Sequence, residues 1–113
     1  MTNGTLKAKE RLIKYKSYKF DISQHGAKRC LQRQFSFEEL KKIVENEKLL
    51  KMAEKQQATH KWEEKYDCYF QIEKNKLNRI VIVFDHKNKI KKIVTALRKD
   101  LKLQKRFDKH VGK

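Results

Sequence analysis

No proline occurs in the 113 residues, and glycine occurs only three times. Linkers rich in either residue are therefore absent, and the length suits one domain with one modest core. Cysteine is almost as scarce. Cys30 and Cys68 have no paired spacing, which excludes a disulfide framework or zinc knuckle and suits a reducing, cytoplasmic setting. Both read as small buried hydrophobes. The longest apolar run is Ile80 to Phe84, far short of a bilayer span, so no membrane partner is expected. The opening MTNGTLKAKERL has no apolar stretch of the kind a secretory signal needs.

Acidic residues are also in short supply. Asp and Glu number 14 against 30 Lys and Arg, a formal net charge of +16. A field of that size draws in polyanions and speeds their encounter. RNA and DNA are the leading candidates, and an acidic protein is the next. Most of these cations are lysines, a bias that an AT-rich genome also produces without any selection for binding.

Local patterns predict two helices. Residues 1–19 read as a basic arm anchored by Leu12, Ile13 and Tyr15. Ser23 suits the N-cap of a first helix, with Ile22 before it and Ala27 as its apolar partner. At helical spacing Ala27, Cys30 and Leu31 share one side, and His25, Arg29 and Arg33 form a column on the other. Ser36 with Glu39 makes a capping box, and Phe35 can staple onto Leu40. A second helix is predicted from Phe37 to about Asn46, burying Leu40, Ile43 and Val44.

Strands follow. Leu49 to Ala53 is read as the first. DCYFQIEKN alternates, with Cys68, Phe70 and Ile72 on one side. NRIVIVFD is apolar on both faces, as a central strand is, and KIVTAL repeats that character. Turns fall at KNKLN and DHKNK, whose asparagines tolerate left-handed backbone. The expectation is an α+β domain: two N-terminal helices packed on an antiparallel sheet of three to four strands. Its core spans 20–98, between the basic arm and a basic tail at 99–113.

The stretch HGAKRCLQRQFS, followed by EEL and later by IVTA, resembles a small family of bacterial, phage and toxin-associated domains. That family carries a histidine followed at four-residue steps by two arginines, and a threonine on a late strand. It is related by fold to the barnase–EndoU–colicin–RelE-type ribonucleases, small α+β proteins that cut RNA without metal. In this chain Gln34 stands where the family has glycine, and Phe35 replaces a smaller aliphatic. The resemblance implies that His25, Arg29, Arg33 and Thr95 form the catalytic site, with no metal or cofactor. It also implies RNA as substrate, with tRNA and mRNA both open, and an acidic antitoxin or immunity protein as partner.

The chemistry suits these residue types. Metal-free cleavage needs a base for the 2′-hydroxyl, an acid for the leaving 5′-oxygen and positive charge for the phosphorane. Histidine is the usual proton carrier. Guanidinium forks match phosphate oxygens, and a helix N-terminus offers free N–H groups to an anion. Tyr66, Tyr69, His60 and His86 are candidates for the acid. Lys28, Lys92, Arg98 and Tyr69 are candidate nucleic-acid contacts, and Trp62, Tyr66 and Tyr69 are able to stack bases or simply to pack. Two other readings stand beside this one: a non-catalytic nucleic-acid-binding accessory protein on the same scaffold, and an interaction module for an acidic protein.

Overall fold

The computed structural model describes residues 3–32, 35–74 and 76–100, which form three α-helices and one five-stranded mixed sheet. In chain order these are α1 (Asn3–Lys14), β1 (Lys19–Ile22), α2 (Gln24–Gln32), α3 (Phe37–Glu45), a 3₁₀ turn (Glu47–Leu49), β2 (Leu50–Gln56), β3 (Glu63–Glu73), β4 (Lys76–Asp85) and β5 (Ile90–Asp100). The sheet order is β1-β5-β4-β3-β2. Strands β2 to β5 form an antiparallel meander, and β1 joins its far edge parallel to β5. The α+β class is as expected from the sequence.

Strand alternation divides the sheet into two faces. Tyr66, Cys68 and Phe70 of β3, Ile80, Ile82 and Phe84 of β4, and Ile93 and Ala96 of β5 point to the core. Ala8 and Leu12 of α1 and Leu40, Ile43 and Val44 of α3 close over them. Burial of each large apolar side chain contributes about 1.5–3 kcal/mol. The second face has Val81 and Val83 at its centre, flanked in register by Lys65, Asp67, Lys92 and Thr95. A bulge in β5 changes the phase between the two faces. Val81 pairs with Thr95 and Ile82 with Ile93, so Val94 is left as an extra residue. Ile93 and Ala96 thereby both reach the core, while Val94 and Thr95 both serve the second face.

Four expectations are corrected. First, the basic arm is a helix over Asn3–Lys14. Its apolar side is built from small or isolated residues, Thr5, Ala8 and Leu12, among many lysines, which hides the period. Ile13 is exposed and anchors nothing, whereas Leu12 and Tyr15 pack on the core. Thr5 Oγ1 donates to the Ala53 carbonyl (3.3 Å) and accepts from the Ala53 N–H (3.1 Å), so α1 satisfies backbone groups of edge strand β2. Second, the sheet is mixed and has five strands. Strand β1 has four residues and only one buried side chain, Phe20, too little for a periodic signal. Third, a register shift between Gln71 and Glu73 turns Ile72 outward, away from Cys68 and Phe70. Fourth, the left-handed residue of the β4–β5 turn is Lys89 (φ 55°), not an asparagine. Asp85 shapes that turn by accepting from the Lys87 and Asn88 N–H groups, both at 3.0 Å. In the predicted basic tail, residues 99 and 100 belong to β5, and 101–113 lie outside the described residues.

The second helix is close to its prediction. Ser36 caps α3 through the Glu39 N–H (3.0 Å), and Leu40, Ile43 and Val44 are buried. The Glu39 carboxylate binds Arg98 Nη2 (2.8 and 3.0 Å), and the Arg98 guanidinium lies 4.4 Å over the Phe35 ring.

A polar cluster on the core face ties the ends of these elements together. Glu64 accepts from Arg11 Nε (3.1 Å to each oxygen) and from the Tyr66 hydroxyl (2.8 Å), and its Oε1 lies 2.7 Å from His86 Nε2. His86 Nδ1 shares a 2.8 Å hydrogen bond with the Tyr18 hydroxyl, and the Tyr15 ring packs on both. Burial acts to raise the Glu64 pKa, but the bonds from His86, Tyr66 and Arg11 outweigh it, and the carboxyl lies below its ordinary value of 4.5. A depressed carboxyl pKa contributes stability above the unfolded value, and that contribution is lost as pH falls through the folded value. The melting temperature is therefore expected to drop as pH falls below about 4.5. Glu64→Gln should cost about 2 kcal/mol near neutral pH and flatten part of that acid limb. Thermal melts of both proteins from neutral to acid pH check this. An acid limb of equal steepness in the two would reject the assignment.

Candidate functional site

The site is built on the docking of α2 against the β5 bulge. Ser23 is the N-cap: its Oγ accepts from the Gly26 N–H (2.9 Å) and its carbonyl from the Ala27 N–H (2.8 Å). The Ser23 N–H itself donates to the Ile93 carbonyl at 3.0 Å. A Cβ on Gly26 would stand 2.6 Å from that same carbonyl and 3.1 Å from Ile22 Cγ2. Gly26 is thus present for close approach, although it weakens a helical turn. It is the buried residue of this turn, and Ala27, expected on the apolar side, is exposed. His25, one position earlier, is exposed at the second helical position beside β5.

Beneath His25 lies a cleft of about 330 Å³ whose lining includes His25, Gln56, Lys65, Arg79 and Thr95, with Val81 and Val94 as apolar floor. A second hollow of about 280 Å³ shares Lys65 and Val94 with it and adds Thr59, His60, Glu63, Val83 and Lys92. Together they make a groove across the second face, from α2 to the loop between β2 and β3. The register sets its rungs. Lys65, Val83 and Lys92 pair across β3, β4 and β5, and Asp67, Val81 and Thr95 form the next row. Neighbouring strands lie about 4.8 Å apart, so Lys65 and Lys92 flank a valine floor.

Charge in the groove is organised by Asp67. Its side chain is 7 % exposed and takes a forked contact from Arg79: Nε to Oδ1 at 2.9 Å and Nη2 to Oδ2 at 2.8 Å. Gln56 Nε2 adds a 3.4 Å bond. The hydrogen bond that Arg79 donates to Asp67 outweighs burial, raises the guanidinium pKa and keeps it charged. Asp67 takes up only part of its five N–H donors, which leaves others for a ligand. Tyr69 pairs with Arg79 on the same face, and burial, with Asp67 adding to it, pushes its hydroxyl pKa up.

The structure brings some predicted residues together and separates others. His25 and Thr95 line one cleft. Lys92 lines the adjoining hollow, and Tyr69 shares the face. Lys28 is exposed on α2, and Arg29 lies in that helix one turn beyond His25. Arg33 lies outside the described residues. Arg98 pairs with Asn78, in the alternation of the core face, where Glu39 and Phe35 hold it away from the groove. Among the candidate acids, Tyr66 and His86 belong to the Glu64 cluster on the core face, while Tyr69 and His60 serve the groove face. Gln56, Lys65 and Arg79 were not picked out from the sequence. The polar half of β3, Lys65-Asp67-Tyr69, was the available signal, but pairing with β2 and β4 decides which residues converge. Among the described residues, no group of three or more His, Cys, Asp or Glu is placed to hold a metal ion. No protein-family model, curated protein or solved structure matches the chain.

Gly26→Ala drives a methyl into a backbone carbonyl, which has no rotamer with which to yield. The expected cost is about 2 kcal/mol, with α2 displaced from the bulge. Melting temperature and the His25 ring resonances measure this. An alanine variant with native stability and unshifted His25 signals would show that the close approach has no role in placing the histidine.

Proposed function

We propose that the protein is a metal-independent endoribonuclease of the toxin-associated kind it resembles, and that it cuts RNA in the groove beneath His25. The observation that carries this reading is the convergence of His25 and Thr95, distant in sequence, on one cleft with Arg79 and Lys65, in a chain of net charge +16. His25 takes the proton of the 2′-hydroxyl. The positive charge of Arg79 and Lys65 faces the developing phosphorane, and the resemblance adds Arg29 and Arg33 to the clamp. Thr95 donates a hydrogen bond to a phosphate oxygen. Tyr69 and His60 remain the two candidates for protonating the leaving 5′-oxygen. Preorganised donors of this kind contribute about 10²–10³-fold each. A cytoplasmic setting and an acidic neutralising protein complete the reading.

One observation favours a binding-only alternative. Asp67 already engages Arg79, an arrangement that serves a phosphate-binding surface equally well. Cleavage assays separate the two. The purified protein in EDTA should cut single-stranded RNA and leave 2′,3′-cyclic phosphate ends. His25→Ala should lower the rate by at least about 10²-fold with RNA affinity retained. Thr95→Val, which preserves shape, should lower it about 10²-fold at unchanged melting temperature. RNA that binds and stays intact under all these conditions would establish the binding-only alternative, and cleavage that persists in His25→Ala would remove His25 from the mechanism.

A further inference from the structure

At the end of the groove away from α2 stands a pair of stacked rings. The His60 and Trp62 centroids are 4.5 Å apart with planes only 3° from parallel. Both residues are exposed, Trp62 by 38 %. Lys87 Nζ lies 4.7 Å over the indole. With His60 against one side of the indole and Lys87 over it, the ring offered to the groove is the imidazole, and His60 indeed lines the hollow that Lys65 and Lys92 flank. The platform is held by its backbone. The Glu63 N–H donates to the His60 carbonyl (3.1 Å), the His60 N–H to Glu63 Oε1 (3.2 Å), and the His86 N–H to the Trp62 carbonyl (2.9 Å).

Flat rings beside a basic channel match what an unpaired nucleobase requires: a face for the base and cations for the phosphates on either side. An acidic protein surface would use the lysines but has no need of a stacked imidazole–indole pair. We propose that His60, backed by Trp62, is a stacking subsite for one unpaired base of a single-stranded nucleic acid whose backbone passes Lys65 and Lys92. The inference rests on reading the groove as a nucleic-acid interface. It does not depend on cleavage.

Trp62 is the sole tryptophan of the chain, so its fluorescence reports on the subsite directly. The full chain is titrated at low salt with single-stranded oligodeoxyadenylate about six nucleotides long, which lacks the 2′-hydroxyl and resists cleavage. Inorganic polyphosphate serves as the probe with charge but no bases. The oligonucleotide should alter Trp62 emission and polyphosphate should bind without doing so. His60→Ala should weaken oligonucleotide binding about tenfold and leave polyphosphate binding unchanged, while His60→Phe should restore it, because stacking needs a ring and not a proton. An equal emission change with polyphosphate overturns the subsite, as does oligonucleotide affinity unaltered in His60→Ala. Failure of the nuclease reading looks different: the emission change and its His60 dependence persist in a protein that cuts no RNA.

Discussion

One backbone carbonyl, that of Ile93, sets the geometry on which the groove depends. It continues the parallel β1–β5 ladder one step past Ile22, where it accepts the N–H of Ser23, and it lies under Gly26. Two features of the site follow from that contact, and the adjacent bulge adds a third. The helix N-cap is fixed to the sheet. His25, between the cap and the glycine, is held beside β5. Thr95, moved by the bulge to the second face, lines the cleft that His25 overhangs. Bulges re-aim side chains in this way near functional sites. Here the bulge supplies the turned residue, and the neighbouring Ile93 carbonyl is the acceptor that seats the helix above it.

Charge is distributed on the same logic. On the core face, arginines are used internally: Arg11 is tied to Glu64, and Arg98 to Glu39. Lys91, almost fully buried, spends its ammonium on the Lys16 carbonyl, and burial lowers its pKa. On the groove face, the carboxylates are the groups used internally. Asp67 orients Arg79, and Glu63 closes the turn under His60. Lys65 and Lys92 make no carboxylate ion pair among the described residues, so the groove keeps a positive surplus where a phosphodiester would lie. Half-buried lysines of this kind attract a polyanion with strong salt dependence and little selectivity.

How far this was readable in the sequence depended on how local the signal was. Ser36 and Leu40 to Val44 announced α3 because capping and helical period act within one turn. Ser23 announced α2 for the same reason. The central strands were legible from their β-branched runs. By contrast, α1 presents one small-residue stripe among lysines, and β1 is stabilised by its parallel neighbour β5 more than by its own four residues. The bulge was invisible, since strict alternation through KIVTAL would have placed Thr95 on the face of Ile93. The place of Gly26 in a helix has a reason, a carbonyl on a distant strand, that is a tertiary fact. Arg79 and Lys65 were hidden similarly: each looked like an ordinary outward cation until pairing placed them beside Thr95. That His25 and Thr95 line one cleft is likewise a tertiary fact, which periodicity has no means to give.

The molecule also contains a second constellation that resembles a catalytic relay, Tyr18–His86–Glu64, and its construction shows why it acts as a clamp instead. A proton relay needs one end open to a reacting group. Here Glu64 is surrounded by Arg11, Tyr66 and His86, and both His86 nitrogens are engaged, one by Glu64 and the other by Tyr18. Tyr66 is fully buried, and burial with the Glu64 bond pushes its hydroxyl pKa up. Every donor in the chain of contacts terminates on protein, and the elements so joined, α1, the turn after it, β3 and the β4–β5 turn, are those that close the core. His25 and His60 are placed differently, exposed along a channel with a valine floor and lysine walls. Two imidazole settings therefore lie on opposite faces of one sheet: one holds the sheet to its helix, and the other lines the groove.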